Sequence, residues 1–356
     1  MIRRALLLAA VVVTGCATAA PPLQAAAERP AWAIVVHGGA GVIERSAMTP
    51  ETDAAYRAAM ARSTAAGTAV LQRGGSALDA IEAAIVLMED DPLFNAGRGA
   101  VFTAEGKNEL DASIMDGATL KAGAVAGLTR IRHPIQAARA VMEKSPHVML
   151  IGPGAEAFAA GQKLEQVEPG FFFVERRWQG LIQTLRGRGD PIPPRPRGAP
   201  PAPSATAVET GRDENRFGTV GVVALDRSGR IAAGTSTGGT TGKRFGRVGD
   251  APIIGAGTYA DNKSCAVSAT GTGEFFIRLT VARSICALVE HRGLPLQAAA
   301  DQVIQRDLTA IQGDGGIIAI SPRGEMAWSF NTSGMYRARA SAAAPTPVIS
   351  IYRDEP

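Results

Sequence analysis

The sequence predicts an α+β protein of antiparallel sheets covered by helices, and three observations carry that reading. Strand-like and helix-like stretches come in blocks, not in strict alternation. Several short apolar runs are separated by turn residues, as in "VGVVALDRSGRIAAGTS". A chain of 356 residues, 46% of them hydrophobic, can bury a large core.

"AWAIVVHGGAG" is an apolar run closed by a Gly-rich turn, which reads as a buried strand delivering its loop to one end of a sheet. Residues 51–73 have helical period, and "SALDAIEAAIVLMEDD" opens with Ser76 as an N-cap before a second helix. Residues 99–103, 109–115 and 121–128 read as short strands. Pro134 starts a helix ending near Lys144, and residues 155–163 form another. From Gly187 the repeated prolines can neither extend a ladder nor sustain a helix, so residues 187–217 read as an exposed linker. Beyond it, residues 219–225 and 230–236 pair around the turn "DRSG". Residues 265–270 form a strand running into "TGTGE", followed by helices over 274–291 and 295–309. "GGIIAIS", "GEMAWSF" and "PVISIY" close the chain as strands.

The net charge of +4 comes from scattered Arg and Lys, without the basic run that tracks a phosphate backbone, which argues against nucleic acid as a partner. Residues 1–20 combine Arg3 and Arg4, an apolar stretch from Ala5 to Val13 and small residues around Gly15, the pattern of a signal peptide for export. Gly15 before Cys16 also fits a lipobox, so the chain is expected in the periplasm or lipid-anchored at the outer membrane. Cys265 and Cys286 lack metal-ligand spacing and read as buried small apolar residues; an oxidising compartment leaves a disulfide between them open.

Two fragments invite an esterase reading: "GTSTG" around Ser236 and "HGGAG" at His37. The elbow needs a helix after the serine, but "GTTGKRFGRVGD" is a glycine-rich loop, and His291 lies within a helical stretch. His37, His133, His147 and His291 are too dispersed for a metal site and read as surface or core residues. Asp111 and Asp116 read as easily as turn and capping groups as they do as a glycosidase pair.

The Gly218-Thr219 join carries more. A threonine hydroxyl is a weak nucleophile unless a base is held beside it, and its own α-amine, titrating near pH 8, is such a base once the preceding peptide bond is cut. An exposed linker ending in a glycine before a core strand supplies a releasable tail and a permissive backbone.

"GTVGVVALD", "AAGTSTGGTTGKRFGRVGD", "GAGTYADN" and "AVSATGTGEFFIR", with "VVHGGAG", "LFNAGRGAVFT", "ELDASIMDG", "KAGAVAGL" and "FNTSGMYR", resemble the plant-type asparaginase and isoaspartyl peptidase family of N-terminal nucleophile hydrolases. The resemblance spans residues 33–352 in family order. It implies an αββα sandwich, made as a precursor that cuts itself between Gly218 and Thr219 into an α chain (30–218) and a β chain (219–356), with two such pairs associating.

By the same resemblance Thr219 is the nucleophile and Thr237 orients it, while Thr270 and the Gly271 N–H stabilise the oxyanion. Arg247 grips the substrate α-carboxylate, Asp250 accepts its α-ammonium, and Gly273 completes the binding loop. The loop "EDDPLFNAGRG" resembles one that wraps a sodium, or potassium, ion through the backbone of Met88, Glu89, Asp91, Phe94, Ala96 and Arg98, with Asn95 helping to order the site. Catalysis itself needs no cofactor. The expected substrates are L-asparagine and β-aspartyl dipeptides. A glycosylasparaginase of the same fold and a non-catalytic amino-acid-binding lipoprotein are the alternatives; the second would remain one chain.

Overall fold

The computed structural model describes residues 29–201 and 218–356. The signal segment with Cys16, and the linker from residue 202 to 217, lie outside the described residues. β1 (Ala33–Gly41) is followed by α1 (Pro50–Gln72), α2 (Ala77–Asp90), β2 (Leu110–Asp116), β3 (Ala122–Leu128), α3 (Pro134–Lys144), β4 (Met149–Ile151), α4 (Gly152–Gly161) and α5 (Glu175–Arg188). Then come β5 (Val220–Leu225), β6 (Ile231–Thr237), β7 (Thr258–Ala260), β8 (Ala266–Gly271), α6 (Gly273–Leu279), α7 (Val281–Arg292) and α8 (Leu296–Asp301). β9 (Gly315–Ile320), β10 (Met326–Phe330), β11 (Gly334–Ser341) and β12 (Val348–Tyr352) complete the order.

Eight strands form one sheet in the order β12-β11-β1-β5-β6-β2-β3-β4, and four form a second in the order β10-β9-β8-β7. All pairs are antiparallel except β3 with β4. Alternating side chains explain the layers, because successive residues of a strand point to opposite faces. Ile34 and Val36 of β1, with Val222 and Ala224 of β5, pack under Ile81 and Ile85 of α2. Their neighbours Val35, Val223 and Leu225 instead meet Ile318 and Ile320 of β9 across the gap between sheets. The outer face of β9, Ile317 and Ala319, is covered by Ile285 of α7 and residues 304 and 308. The result is an αββα sandwich. Strands buried on both faces read as nearly continuous apolar runs, which is why the sequence shows them clearly.

Ser76 caps α2 as expected: its hydroxyl accepts the Asp79 N–H and the Asp79 carboxylate accepts the Ser76 N–H. Other expectations need correction. Residues 99–103 are not a strand, because side-chain amides replace the ladder: Asn95 Oδ1 accepts the Val101 N–H, and Asn108 Nδ2 donates to the Ala100 and Val101 carbonyls. The helix expected over 274–291 breaks at Thr280, which has φ of 46°. There the N–H groups of Ala282 and Arg283 turn to the carbonyls of Ala256 and Gly255. The helix over 295–309 is α8 continued by a π-helical turn, Gln302–Leu308. α5, β7 and β11 are additional elements.

Residues 187–201 make more contacts than their prolines suggest. α5 runs to Arg188 and ends on Gly189 in the left-handed conformation. Beyond it, Arg195 forks onto Glu175 and lies over the Phe173 ring.

Cys265 and Cys286 are paired, not free: a disulfide joins the residue before β8 to α7, with Cα atoms 5.3 Å apart. Closing a loop of 21 residues' separation is worth about 3 kcal/mol through the unfolded chain. A Cys265→Ala/Cys286→Ala variant is therefore expected to unfold at lower urea, by about that free energy, and an unchanged midpoint would exclude a stabilising role.

Candidate active site

Polar residues gather at one end of the space between the sheets. Thr219 precedes β5 on the face that Val223 and Leu225 turn inward; Thr235 and Thr237 share the inward face of β6 with Ala233, and Ser268 and Thr270 that of β8 with Ala266. All five are buried. The sheets approach closely there because Gly221 lacks a side chain: a Cβ would lie 1.9 Å from Ser268 Oγ and 2.3 Å from His37 Nε2. Thr219 is two residues from this contact along β5, and Thr270 two residues from it along β8.

The Thr219 and Thr237 hydroxyls are 2.9 Å apart, and the Gly239 N–H donates to Thr237 Oγ1 at 3.0 Å. With the glycine amide fixing one lone pair of Thr237, its orientation toward Thr219 is set. The Gly218 carbonyl, on the other side of Thr219, accepts the backbone N–H of Asn95 at 3.2 Å. Asn95 is fully used: Nδ2 donates to the Gly239 carbonyl at 2.7 Å, and its own carbonyl accepts the Gly238 N–H at 3.0 Å. One residue thus ties the join to the loop after β6.

That loop carries the charged part of the site. Arg247 donates from Nε and Nη2 to both oxygens of Glu274, at 2.8 and 2.9 Å. The fork is thereby seen to hold a carboxylate bidentately. Gly239, Gly249 and Gly273 leave room around the guanidinium; a Cβ on Gly273 would lie 2.9 Å from Asp250 Oδ1 and 3.0 Å from Arg247 Nη2. Burial pushes the Asp250 carboxyl up to about 7 against the pull of Arg247, and its Oδ2 has no partner among the described residues. Thr270 Oγ1 accepts the Ala40 N–H at 3.4 Å, joining β8 to the end of β1, where "HGGAG" continues the strand against β11 and does not form the turn its glycines suggest. The sequence-predicted residues Asn95, Gly218, Thr219, Thr237, Arg247, Asp250, Thr270, Gly271 and Gly273 are thus brought to one region.

Several neighbours have no place in this site from sequence alone. His37 lies inside, its Nε2 2.9 Å from Ser268 Oγ, and burial lowers its pKa to about 3, so it is neutral. From Ser268 a chain of buried hydroxyls continues through Thr235 and Thr258 to Ser113, which donates to the Ala251 carbonyl beside Asp250. These polar groups would be costly in an apolar interior without each other. Ser268 could have been found by its spacing of two from Thr270. Lys243, also buried, donates to the Glu109 carbonyl at 3.0 Å and stands 4.0 Å from Asp111. Replacing Thr237 by Val keeps the shape but leaves the Gly239 N–H and Thr219 without their partner, at about 1–3 kcal/mol. That variant is expected to slow the chemistry of Thr219 roughly tenfold to hundredfold, read from a time course of chain cleavage.

No group of three or more His, Cys, Asp or Glu side chains is placed to hold a metal among the described residues. The backbone after α2 fits an ion better. The last carbonyls of a helix have no intrahelical partner and carry its negative end. Gly97 packs so close that a Cβ would lie 2.2 Å from the Glu89 carbonyl oxygen, and one on Gly99 would lie 1.9 Å from that of Phe94. Arg177 braces the loop, donating to the Gly99 and Leu93 carbonyls. The loop's carbonyls are neutral oxygens, and those of Asp91 and Ala96 accept the Phe94 and Gly99 N–H groups.

Two facing sheets between helical layers give the αββα architecture of the N-terminal nucleophile hydrolases. A family model described as asparaginase matches residues 30–349. The chain is 48% identical to an isoaspartyl peptidase of Salmonella typhimurium, over 90% of this chain and 98% of that one. It is 48% identical to an isoaspartyl peptidase of Escherichia coli, over 90% and 96%. Against an isoaspartyl peptidase/L-asparaginase of Homo sapiens it is 39% identical, over 85% and 91%. The chain belongs to this asparaginase family and is a hydrolase.

Proposed function

We propose that the protein is an isoaspartyl peptidase and L-asparaginase that matures by cutting itself between Gly218 and Thr219. The observation that carries this is the Thr219 hydroxyl held 2.9 Å from that of Thr237, beside a Gly218 carbonyl gripped by the Asn95 N–H. In maturation the Thr219 hydroxyl adds to the Gly218 carbonyl carbon while Asn95 stabilises the oxygen. The peptide C–N bond breaks as a proton passes to the Thr219 nitrogen, and water hydrolyses the resulting ester. This frees the α-amine.

In turnover that amine takes the hydroxyl proton as Thr219 attacks the side-chain carbonyl of the substrate, and returns it to the departing nitrogen. Ammonia leaves from L-asparagine, or an amino acid from a β-aspartyl dipeptide. Water then releases aspartate from the ester. Thr270 and the Gly271 N–H stabilise the developing oxyanion. Arg247 exchanges the Glu274 carboxylate for that of the substrate, and Asp250 accepts the α-ammonium. A sodium or potassium ion held by carbonyls of Met88, Glu89, Asp91, Phe94, Ala96 and Arg98 would supply fixed positive charge, keeping the loop of Asn95 in shape. Export through residues 1–20 is part of the reading, and a buried disulfide suits an oxidising compartment. Two αβ pairs are proposed to associate.

The test is a denaturing gel with N-terminal sequencing of the purified protein, combined with hydrolysis of a β-aspartyl dipeptide. Two bands, one starting at Thr219, are expected. A lasting single band with no turnover would remove the proposal.

A further inference from the structure

The polar groups between the sheets stand in two tiers, and the chemistry above uses only the first, the hydroxyls of Thr219, Thr237 and Thr270. Two residues further into the same strands lies the second: Gly221, which the His37 ring abuts, then Thr235 and Ser268. His37 on β1, Thr235 on β6 and Ser113 on β2 belong to the eight-stranded sheet, and Ser268 on β8 and Thr258 on β7 to the other. All five are buried, and the contacts among them join the sheets directly behind the threonines.

A count of hydrogens fixes one end of this network. Its short contacts are His37 Nε2 to Ser268 Oγ at 2.9 Å, Ser268 to Thr235 at 2.7 Å, Thr235 to Thr258 at 2.5 Å, Thr258 to Ser113 at 2.8 Å, and Ser113 to the Ala251 carbonyl at 2.6 Å. Each hydrogen bond needs one hydrogen, a hydroxyl has one, and a carbonyl has none. The four hydroxyls therefore fill all but one of these contacts. The Gly257 carbonyl, 3.3 Å from Thr235, only adds to the demand. The missing hydrogen has one source, His37 Nε2. The other ring nitrogen agrees, because Nδ1 is buried with no hydrogen-bond partner among the described residues, and a hydrogen there would be stranded.

We propose that His37 is a positioning residue: its Nε2 hydrogen completes the hydroxyl network, and the network sets the spacing at which Thr219, Thr237 and Thr270 meet. The inference rests on the Thr219 chemistry proposed above. Without that hydrogen two buried oxygens would face each other lone pair to lone pair, and the strands that carry them would part. The displacement is felt two residues away, where the Thr219 and Thr237 hydroxyls are 2.9 Å apart. Misplacing reacting groups in this way costs rate more than binding. The Ser113 contact with Ala251 at the far end survives, so the loop of Asp250 keeps its shape. The ring takes no proton from Thr219, since burial keeps it neutral.

Two measurements on the mature protein test this. NMR of the protein isotope-labelled at its histidine ring nitrogens, assigned by the signal that His37→Gln removes, is expected to show His37 with a hydrogen on Nε2 and none on Nδ1. A hydrogen on Nδ1, turned to the Thr219 backbone that the ring also senses, would leave one contact empty and overturn the inference. The second measurement reads kcat and KM on a β-aspartyl dipeptide and on L-asparagine. His37→Met, of similar length but without a donor, is expected to lower kcat about tenfold to hundredfold while KM stays within about threefold. His37→Gln can donate from the same place and should recover most of that loss. Ser268→Ala breaks the network with a smaller change in packing and should lose kcat similarly. In that background His37→Met should cost no more than about twofold further, because both changes remove the same bond. The same order of rates is expected in self-cutting. Full additivity of the two losses, equal losses in His37→Gln and His37→Met, or a lower melting temperature with parental kcat would each overturn the inference. A parent that neither cuts itself nor turns over would instead remove the Thr219 chemistry, and the positioning role with it, whichever nitrogen carries the hydrogen.

Discussion

Thr219→Ala is expected to remain one uncut chain on a denaturing gel and to lose β-aspartyl hydrolysis by about 10^4-fold or more, the scale on which loss of a nucleophile is felt. One oxygen is asked to do two jobs, so its removal acts twice: no ester forms at Gly218, and no α-amine is freed to serve as base. Folding should be spared. Alanine tolerates the extended backbone before β5, Thr237 keeps the Gly239 N–H as its partner, and the lost Thr219–Thr237 contact is a single hydroxyl pair. Unchanged circular dichroism would separate chemistry from misfolding. Thr219→Ser retains the oxygen and should still cut. Substantial dipeptide hydrolysis by a soluble, folded Thr219→Ala variant would place the nucleophile elsewhere.

The strands that carry the site were legible because their text alternates with physical purpose. In β6, Thr235 and Thr237 turn inward to the polar end of the sandwich, while Gly234 and Ser236 face α2. Ser236 is thereby taken by Glu89, whose carboxyl burial raises to about 8. The serine that suggested an esterase thus lies on the opposite face from Thr219. What stayed hidden depends on distant partners. β11 contains Arg337 and Arg339, poor signals for a strand, yet Arg337 is buried beneath Trp328 and Phe330 with its guanidinium donating to the Met335 and Tyr352 carbonyls. The break at Thr280 depends on carbonyls of residues 255 and 256, and the pairing of Cys265 with Cys286 on how α7 lies over β8. Glu274 could be read as a helix-terminal residue, but not as the occupant of the Arg247 fork.

That occupancy leads to the second large effect. Arg247→Met is expected to lower kcat/KM for L-asparagine and β-aspartyl dipeptides by about 10^2- to 10^3-fold, mostly through KM. Truncating one side of a desolvated charge pair costs about 2–5 kcal/mol. The pH profile gives the sharper test. In the proposed mechanism Asp250, its carboxyl held near 7 by burial, must be ionised to accept an ammonium, and the α-amine, titrating near pH 8, must be neutral to act as base, so kcat/KM should rise with pH through both and fall about a hundredfold per unit below about 7. Arg247 draws that value down, whereas the Glu274 charge raises it. Removing the guanidinium should therefore move the rising limb to higher pH. Bound substrate brings its own ammonium against Asp250, so the limb belongs to kcat/KM and should weaken in kcat. Arg247→Lys keeps the charge without the planar fork and should fall between parent and Met in rate, with its limb near the parent's. Glu274 is too exposed to confound the comparison by misfolding, its side chain being 56% accessible. A Met variant with the parental KM and an unmoved limb would show that substrate is not held there, and that Asp250 titrates independently of Arg247.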